Sequence, residues 1–406
     1  MFTVKKFGGT SVGSVDRIKA VAQRLIDAKN KGEKVVAVVS AMGDSTDRLV
    51  DLAKQISKTP NPREYDALIS TGENVSAALL SMCLNELGVD AISLNGSQAG
   101  VQTEAHHTKA KVKKVNPDRI IQELNAGKIV IVTGFQGITD CNNITTIGRG
   151  GSDTSAVILA AALGCDECEI YTDVNAVYST DPRIVSTARR LEQISHEEML
   201  ELAQAGAQVL HPRAVECAKI NGITIHVRSS FETQEGTRVK ELKNMENEKP
   251  VTGVAVKRNE VKLSLLSVPD TPGIAATIFS QLGKAQINVD MIVQSTEVNG
   301  SNNITFTVGN EDSEEAYKIL EVIKKEMGAS QIDKKDNISK ISIVGVGMIS
   351  QPGVAAKMFE TLGNNNINID LISTSEIKVS CAVNNEDADK AVQLLHTAFE
   401  LDTPAE

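Results

Sequence analysis

The sequence predicts an α/β protein in two parts, a mostly parallel sheet flanked by helices and then a smaller α+β unit present twice. Three observations carry that reading. Strand-like apolar runs alternate with amphipathic helical stretches through the first half, a polar connection follows residue 231, and beyond it the chain repeats itself with a period of 80 residues. At 406 residues the chain also exceeds one ordinary core, since domains run to about 150 residues.

The elements follow in order. An opening strand ends at Phe7 and a glycine loop leads to a helix over Ser14 to Lys29, where apolar residues recur three and four apart. Strands are expected at 35–39, 91–94, 129–132 and 169–171, and helices at 72–87 and 156–163. This alternation means βαβ units, so residues 1–231 are assigned to one domain. Residues 232–250, ETQEGTRVKELKNMENEKP, are almost empty of large apolar side chains and read as a linker.

The repeat then aligns residues 271–296 with 351–376, with 12 of 26 positions identical, among them Pro272/Pro352, Gly273/Gly353, Asn288/Asn368 and Asp290/Asp370. An alternating strand precedes each copy (262–268 and 340–347), Pro-Gly opens a helix, and a second strand follows. Third strands and second helices are expected at 303–308 with 313–327 and at 378–383 with 387–399. The pattern is βαββαβ twice, divided at 251–335 and 336–406, with strands allowed to interleave between copies.

Composition excludes several function classes. The balance of 42 Lys+Arg against 52 Asp+Glu gives a net charge of −10, which disfavours nucleic acid or anionic lipid as a partner. MFTVKKFGGTS lacks the apolar core of a signal peptide, and the apolar run 156–163 is far short of a membrane span, so a cytoplasmic protein is expected. The six Cys are scattered, with one Cys165-x2-Cys168 pair and no second pair at zinc spacing, and they read as reduced structural thiols. The six His form no metal-ligand or Ser-His-Asp arrangement, and no metal site of the protein's own is expected.

Two glycine-rich turns carry the first chemical signal. In Lys6-Phe7-Gly8-Gly9-Thr10-Ser11 the glycines let backbone N–H groups approach an anion while Lys6 neutralises phosphate charge. It is not a Walker A loop, because the lysine lies upstream. In Gly148-Arg149-Gly150-Gly151-Ser152-Asp153, Arg149 offers a fork for a carboxylate, Ser152 a hydroxyl, and Asp153 a carboxylate suited to a helix cap or to organising a metal-phosphate group. The 40–46 loop with Thr46 follows a strand end, Glu73 stands at a helix start, and Thr172-Asp173 and Tyr178 to Arg183 make a polar loop.

Together these segments, in this order, resemble the aspartokinases: the amino acid kinase fold followed by two ACT domains of ferredoxin-like topology. The resemblance covers almost the whole chain. It implies that Lys6, Phe7, Gly8, Gly9, Thr172, Asp173, Tyr178, Arg183, Gln208 and Val209 bind the nucleotide, with Lys6 and Asp153 catalytic. It also implies that Thr46, Glu73, Arg149 and Ser152 hold the amino acid. Gln208 stands in GAQVLHP where the family pattern has lysine, which leaves its contact to ATP open to a main-chain role.

The implied reaction takes MgATP and L-aspartate to 4-phospho-L-aspartate and ADP, the opening step toward lysine, threonine and methionine, with Mg2+ held mainly by the nucleotide phosphates. The ACT pair implies feedback by lysine, threonine or both. Candidate effector residues are Asp270, Pro272, Gly273, Ala275, Asn288, Val289, Asp290 and Gln294 in the first copy, and Val354, Ala355, Asn368, Ile369 and Thr374 in the second. A homo-oligomer, at least a dimer, is expected, and a separate short regulatory subunit starting near Met245 stays open. The rival readings are another amino acid kinase, acting on glutamate, acetylglutamate or a nucleotide, and a non-catalytic amino-acid sensor. KFGGTS with the ACT tandem weighs against the first, and the presence of Lys6, Arg149, Ser152 and Asp153 against the second. No dinucleotide fingerprint follows the repeat, so an appended dehydrogenase domain is not expected.

Overall fold

An eight-stranded sheet organises the N-terminal half in the computed structural model, which describes residues 1–242, 249–296 and 300–402. Across it run Gln193–Ser195, Thr237–Lys240, Thr224–Ser229, Glu167–Thr172, Phe2–Phe7, Lys34–Val39, Ile129–Thr133 and Ala91–Leu94. The pairing is parallel except between Thr224–Ser229 and Thr237–Lys240. Central parallel strands are covered on both faces, which is why Val35 to Val39 and Ile129 to Val132 are unbroken apolar runs and wholly buried. Helix Val15–Asn30, capped by Ser14, lays Ile18, Val21, Ala22 and Leu25 on Phe7, Val35 and Ala37, together with Leu80 and Leu84 of helix Thr71–Glu86.

Because side chains alternate along a strand, Phe7 faces that layer and Lys6 faces the other, where helix Gly151–Ala162 packs. The parallel strands therefore end together, and their following loops gather at one edge of the sheet. A second, four-stranded sheet, Val112–Val115, Val101–Thr103, Gln136–Ile138 and Ile144–Thr146, leads directly into the second glycine turn.

Two boundaries differ from the sequence reading. The 232–250 stretch is not all linker: Thr237–Lys240 is a sheet strand, with Thr237 and Val239 buried and Arg238 ion-paired to Glu167. Its alternation of one buried residue with one charged residue is too short to stand out in a polar run. Residues Tyr178–Arg189 and Gln204–Ala207 belong to the second compact unit instead of the first. There Ser179 is bonded to His396 at 3.0 Å, Val254 N–H donates to its carbonyl at 2.7 Å, and Ile184 and Val185 pack on the core of the second repeat copy. Met245 lies outside the described residues.

Within the repeat the strands interleave, and the two copies share one six-stranded antiparallel sheet. Strand Gly253–Pro269 runs through both copies beside Gln331–Val344. Its first half pairs with 340–344 and contributes Val254 to the core of the second copy, whereas Val261, Leu263 and Leu265 belong to the first. Residues 253–257 thus serve the second copy from within the 251–335 segment. The shared Pro-Gly has a local cause: Gly273 and Gly353 precede helices Ile274–Lys284 and Val354–Asn364 in left-handed conformations, at φ 98° and 96°.

The run Pro62–Glu86 is long and apolar enough in composition to cross a membrane, a stretch the sequence reading passed over. In the fold it is two consecutive helices that bury Asp66, Glu73 and Ser76 along with Leu80 and Leu84. All six cysteines are free thiols.

Candidate active site

Lys6 leaves the sheet on the face opposite Phe7 and meets Asp153 in the first turn of helix Gly151–Ala162, with 2.6 Å between Nζ and Oδ1. The approach lies off the hydrogen-bond direction, so Oδ1 is ion-paired but carries no aligned hydrogen bond. Beyond Lys6 the chain turns through Gly8 and Gly9. Gly8 N–H donates to the Tyr171 carbonyl at 3.1 Å, and Gly43 N–H donates to the Gly9 carbonyl at 3.1 Å, lacing together the loops that follow three neighbouring strands. This is a cationic side chain, a glycine turn and a helix N-terminus at the carboxyl ends of parallel strands, an arrangement suited to anionic phosphate.

The second glycine turn reaches this place by close packing. A Cβ on Gly134 would lie 2.7 Å from the Ser152 side chain, and a Cβ on Gly150, at φ +67°, would lie 2.0 Å from the His211 ring. Ser152 is half-buried beside Asp153, and the Arg149 side chain stands exposed at the tip of the turn. His211 itself caps helix Pro212–Asn221, with Nδ1 accepting from Arg213 N–H at 3.3 Å. Burial holds its pKa below the ordinary 6.5, although the Asp153 carboxylate pulls the other way. The sequence reading set all six histidines aside. The available signal was His-Pro at a helix start, where a side-chain cap is common.

Glu73 lies in the first turn of helix Thr71–Glu86 and is 3% exposed. Its Oε1 accepts Ala41 N–H at 3.2 Å, while Oε2 is buried with no hydrogen-bond partner. Burial pushes its pKa up to about 7 against the pull of the backbone donors. Thr46 is near: its Oγ1 would lie 3.7 Å from a Cβ on Gly72, the residue before Glu73. A half-protonated carboxylate with a free buried oxygen is a receptor for a cationic group.

The nucleotide candidates divide. Phe7 is a core residue: its side chain is fully buried and stacks on Tyr171 at 4.9 Å, and its carbonyl accepts Ser40 N–H. Thr172 and Asp173 follow a strand end, with the Thr172 hydroxyl donating to the Asp173 carboxylate at 3.0 Å. Gln208 is exposed and Val209 half-buried just before the His211 cap. Tyr178 and Arg183 lie in the segment that belongs to the second unit, where Arg183 forks onto the Asp181 carboxylate and lowers its pKa.

Glu167, Glu169 and His226 bring three potential metal donors within 4.8 Å of one another. Cations already occupy their neighbourhood: Lys5 and Arg228 pair with Glu169, and Arg238 with Glu167. The group is an ion-pair network tying neighbouring strands.

In the second unit, Asp270, Pro272, Gly273, Ala275 and Gln294 come together around a cavity of about 300 Å³, joined by Thr271, Ile274, Asn302 and Ile304. Asn302 is the residue the sequence reading missed. Its Nδ2 donates to Asp270 at 2.8 Å while its buried Oδ1 has no partner. Asn288, Val289 and Asp290 do not line this cavity: Asn288 is exposed, Val289 packs against the first-copy core, and Asp290 is ion-paired to Lys340. In the second copy Val354 is a core residue and Ala355 and Ile369 pack on it, whereas Asn368 and Thr374 are exposed.

Residues 1–229 match the amino acid kinase family, and residues 266–322 and 341–399 match the ACT domain. The chain is 50% identical over 403 residues to an aspartate kinase of Stutzerimonas stutzeri (strain A1501), covering 99% of this chain and 98% of that protein. It is 52% identical over 398 residues to an aspartokinase of Bacillus sp. (strain MGA3), covering 98% and 97% of the two chains. Among solved structures it is similar to E. coli aspartokinase III in complex with aspartate and ADP, at 27% identity and a TM-score of 0.82 over 98% of this chain and 99% of that one. The same enzyme in complex with lysine and aspartate matches with a TM-score of 0.76, again over 98% and 99% of the two chains.

Proposed function

The chain belongs to the aspartokinases of the amino acid kinase family, and from that premise we propose how its residues divide the work of phosphorylating aspartate. As an aspartate kinase it transfers a phosphoryl group to a carboxylate. That acceptor, with a pKa near about 4, is already ionised at neutral pH and needs no general base. The difficulty is bringing an anionic nucleophile in line with an anionic phosphate, so the site supplies alignment and positive charge.

Lys6, the turn at Gly9 and the N-terminus of helix Gly151–Ala162 act on the transferred phosphate. A Mg2+ ion carried by the nucleotide phosphates fits here, because Asp153 offers a hard carboxylate oxygen with no aligned hydrogen bond of its own. Bound there, the ion neutralises phosphate charge. Glu73 receives the α-ammonium of aspartate through its unpartnered Oε2, with Thr46 beside it, and Arg149 and Ser152 hold carboxylate oxygens. Thr172, Asp173, Gln208 and Val209 serve the nucleotide. The observation that carries this assignment is the buried Glu73, its pKa raised to about 7, with no cation beside it among the described residues.

The cavity at Asp270 to Ala275 receives an amino-acid effector, lysine or threonine. The Asp270 carboxylate and the Asn302 Oδ1 hold its ammonium, and the Gly273 turn takes its carboxylate. E. coli aspartokinase III with bound lysine supports that class of ligand. Its binding inhibits by favouring a low-activity arrangement. The enzyme works in the cytoplasm as a homo-oligomer and opens the route to lysine, threonine and methionine. Ile292 and Ile372, equivalent positions of the two copies, are exposed on edge strands and suit pairing with a second chain.

A coupled ADP-release assay with MgATP and aspartate, glutamate or acetylglutamate, repeated with lysine and threonine singly and together, tests the whole reading. Turnover confined to aspartate and suppressed by either amino acid is expected. Equal turnover with glutamate, or indifference to both effectors, contradicts it.

A further inference from the structure

The loop carrying Arg149 and Ser152 is exposed at its tip and buried at its root. Thr145, Thr146 and Ile147 are all 0% exposed, whereas Arg149, two residues on, stands in solvent. Gly150 and Ser152 pack against His211 and Gly134, and the other hold on the backbone that carries the exposed Arg149 side chain is at the root.

Asp66, on helix Pro62–Ile69, is 0% exposed and grips it. Its Oδ1 accepts the Thr146 hydroxyl at 2.6 Å, both carboxylate oxygens accept Thr108 N–H at 3.1 and 2.9 Å, and Oδ2 accepts from His107 Nδ1 at 2.8 Å. Thr108 sits at φ 69°, a left-handed conformation that a β-branched residue avoids, so its N–H is held in place at some strain. Its carbonyl then lies directly beneath the loop, where a Cβ on Gly148 would come within 3.0 Å. Asp66 thus reaches the loop through the Thr146 hydroxyl on one side and the Thr108 backbone on the other. From the opposite flank Arg213 donates to the carbonyls of Ile147 and, at 3.2 Å, Ala110, and Ala110 N–H donates to the Thr146 carbonyl at 3.0 Å.

We propose that Asp66 is a positioning residue for the amino-acid substrate, setting the Arg149–Ser152 loop through Thr146 and Thr108. The proposal rests on the reading that this loop holds aspartate. The chemistry explains the choice of residue. Three donors, a hydroxyl, a backbone N–H and an imidazole N–H, converge on one side chain, and a carboxylate accepts on both oxygens where an amide accepts on one. Without such a cluster a carboxylate would not remain in a fully buried position.

Steady-state kinetics of Asp66→Ala, Asp66→Asn and Arg149→Ala, with circular dichroism melts, test this. Asp66→Ala is expected to raise the aspartate KM about tenfold with the ATP KM within about twofold of normal. Asp66→Asn keeps an oxygen for Thr146 and Thr108 and is expected to recover most of the loss, to within about threefold. If Asp66→Ala does not fold, Thr146→Val, which deletes only the hydroxyl, carries the same expectation at about threefold. A lowered melting temperature with unchanged aspartate KM, or both KM values rising together, overturns the proposal. Arg149→Ala separates the failures. A raised aspartate KM there with none in Asp66→Ala removes the Asp66 role alone. An unchanged KM in Arg149→Ala removes the loop's substrate role and the Asp66 role with it.

Discussion

The two ends of the active site treat buried charge in opposite ways. At the phosphoryl end the Lys6 ammonium and the Asp153 carboxylate, each 9% exposed, satisfy one another. At the amino-acid end Glu73 is more deeply buried and faces backbone N–H donors but, among the described residues, no cation. A buried pair is tolerated because each charge offsets the desolvation of the other, whereas a lone buried carboxylate raises its own pKa and destabilises the fold. The first end pairs its charges within the protein, and the second is paired by its ligand.

The largest expected effect separates pairing from chemistry. Lys6→Ala should lower turnover by about a thousandfold or more with an unchanged circular dichroism spectrum. It should also destabilise the protein by about 1–3 kcal/mol, because Asp153 is left unpaired. Lys6→Met combined with Asp153→Asn should restore the melting temperature without restoring turnover. Near-normal turnover in the single variant would break the phosphoryl half of the comparison.

Glu73→Gln should act in two directions. Loss of the charged partner for the substrate ammonium should raise the aspartate KM by about a hundredfold. The ligand-free protein should become more stable. The folded pKa of about 7 lies above the ordinary 4.5, so the folded state binds this proton more tightly than the unfolded state does. Glu73 is therefore harmless below about pH 4.5, increasingly unfavourable as pH rises to about 7, and worth up to about 3 kcal/mol of lost stability above that. Chemical denaturation of both proteins at pH 5 and pH 8 checks this: a gap at pH 8 that shrinks to about a quarter at pH 5 is expected, and equal gaps would refute it.

The smallest effect is calorimetric. An ammonium docking on Glu73 lowers its pKa again, so aspartate binding near pH 7 should release about half a proton and at pH 9 almost none. Titration calorimetry in two buffers of different ionisation enthalpy reads this directly. A proton count of zero at pH 7 would mean that Glu73 does not meet the ammonium.

How much of this was visible in the chain follows from distance along it. The Lys6 to Ser14 turn, the 148–153 turn, the central strands and the 80-residue repeat were legible because each signal lies within a short window. The Thr237–Lys240 strand was not, because only the neighbouring strands reveal which of its residues are buried. The opposite facing of Phe7 and Lys6 follows from strand alternation, but which of the two faces the helix Gly151–Ala162 covers was not legible. Asp66 and Asn302 were invisible for a different reason. Asp66 meets partners 41 to 80 residues away, and Asn302 meets Asp270 across 32.

By itself, then, the sequence determined the order of elements, the two glycine turns, the duplication and the residue types at the site. These depend on local backbone preference and on the periods of 2 and 3.6 residues that sort side chains onto faces. Only the tertiary structure decided the charge state of Glu73, the pairing of Lys6 with Asp153, the grip of Asp66 on the substrate loop and the strand that 253–257 lends to the second repeat core. Each of those turns on desolvation or on a partner brought from far along the chain, and neither exists until the layers have packed.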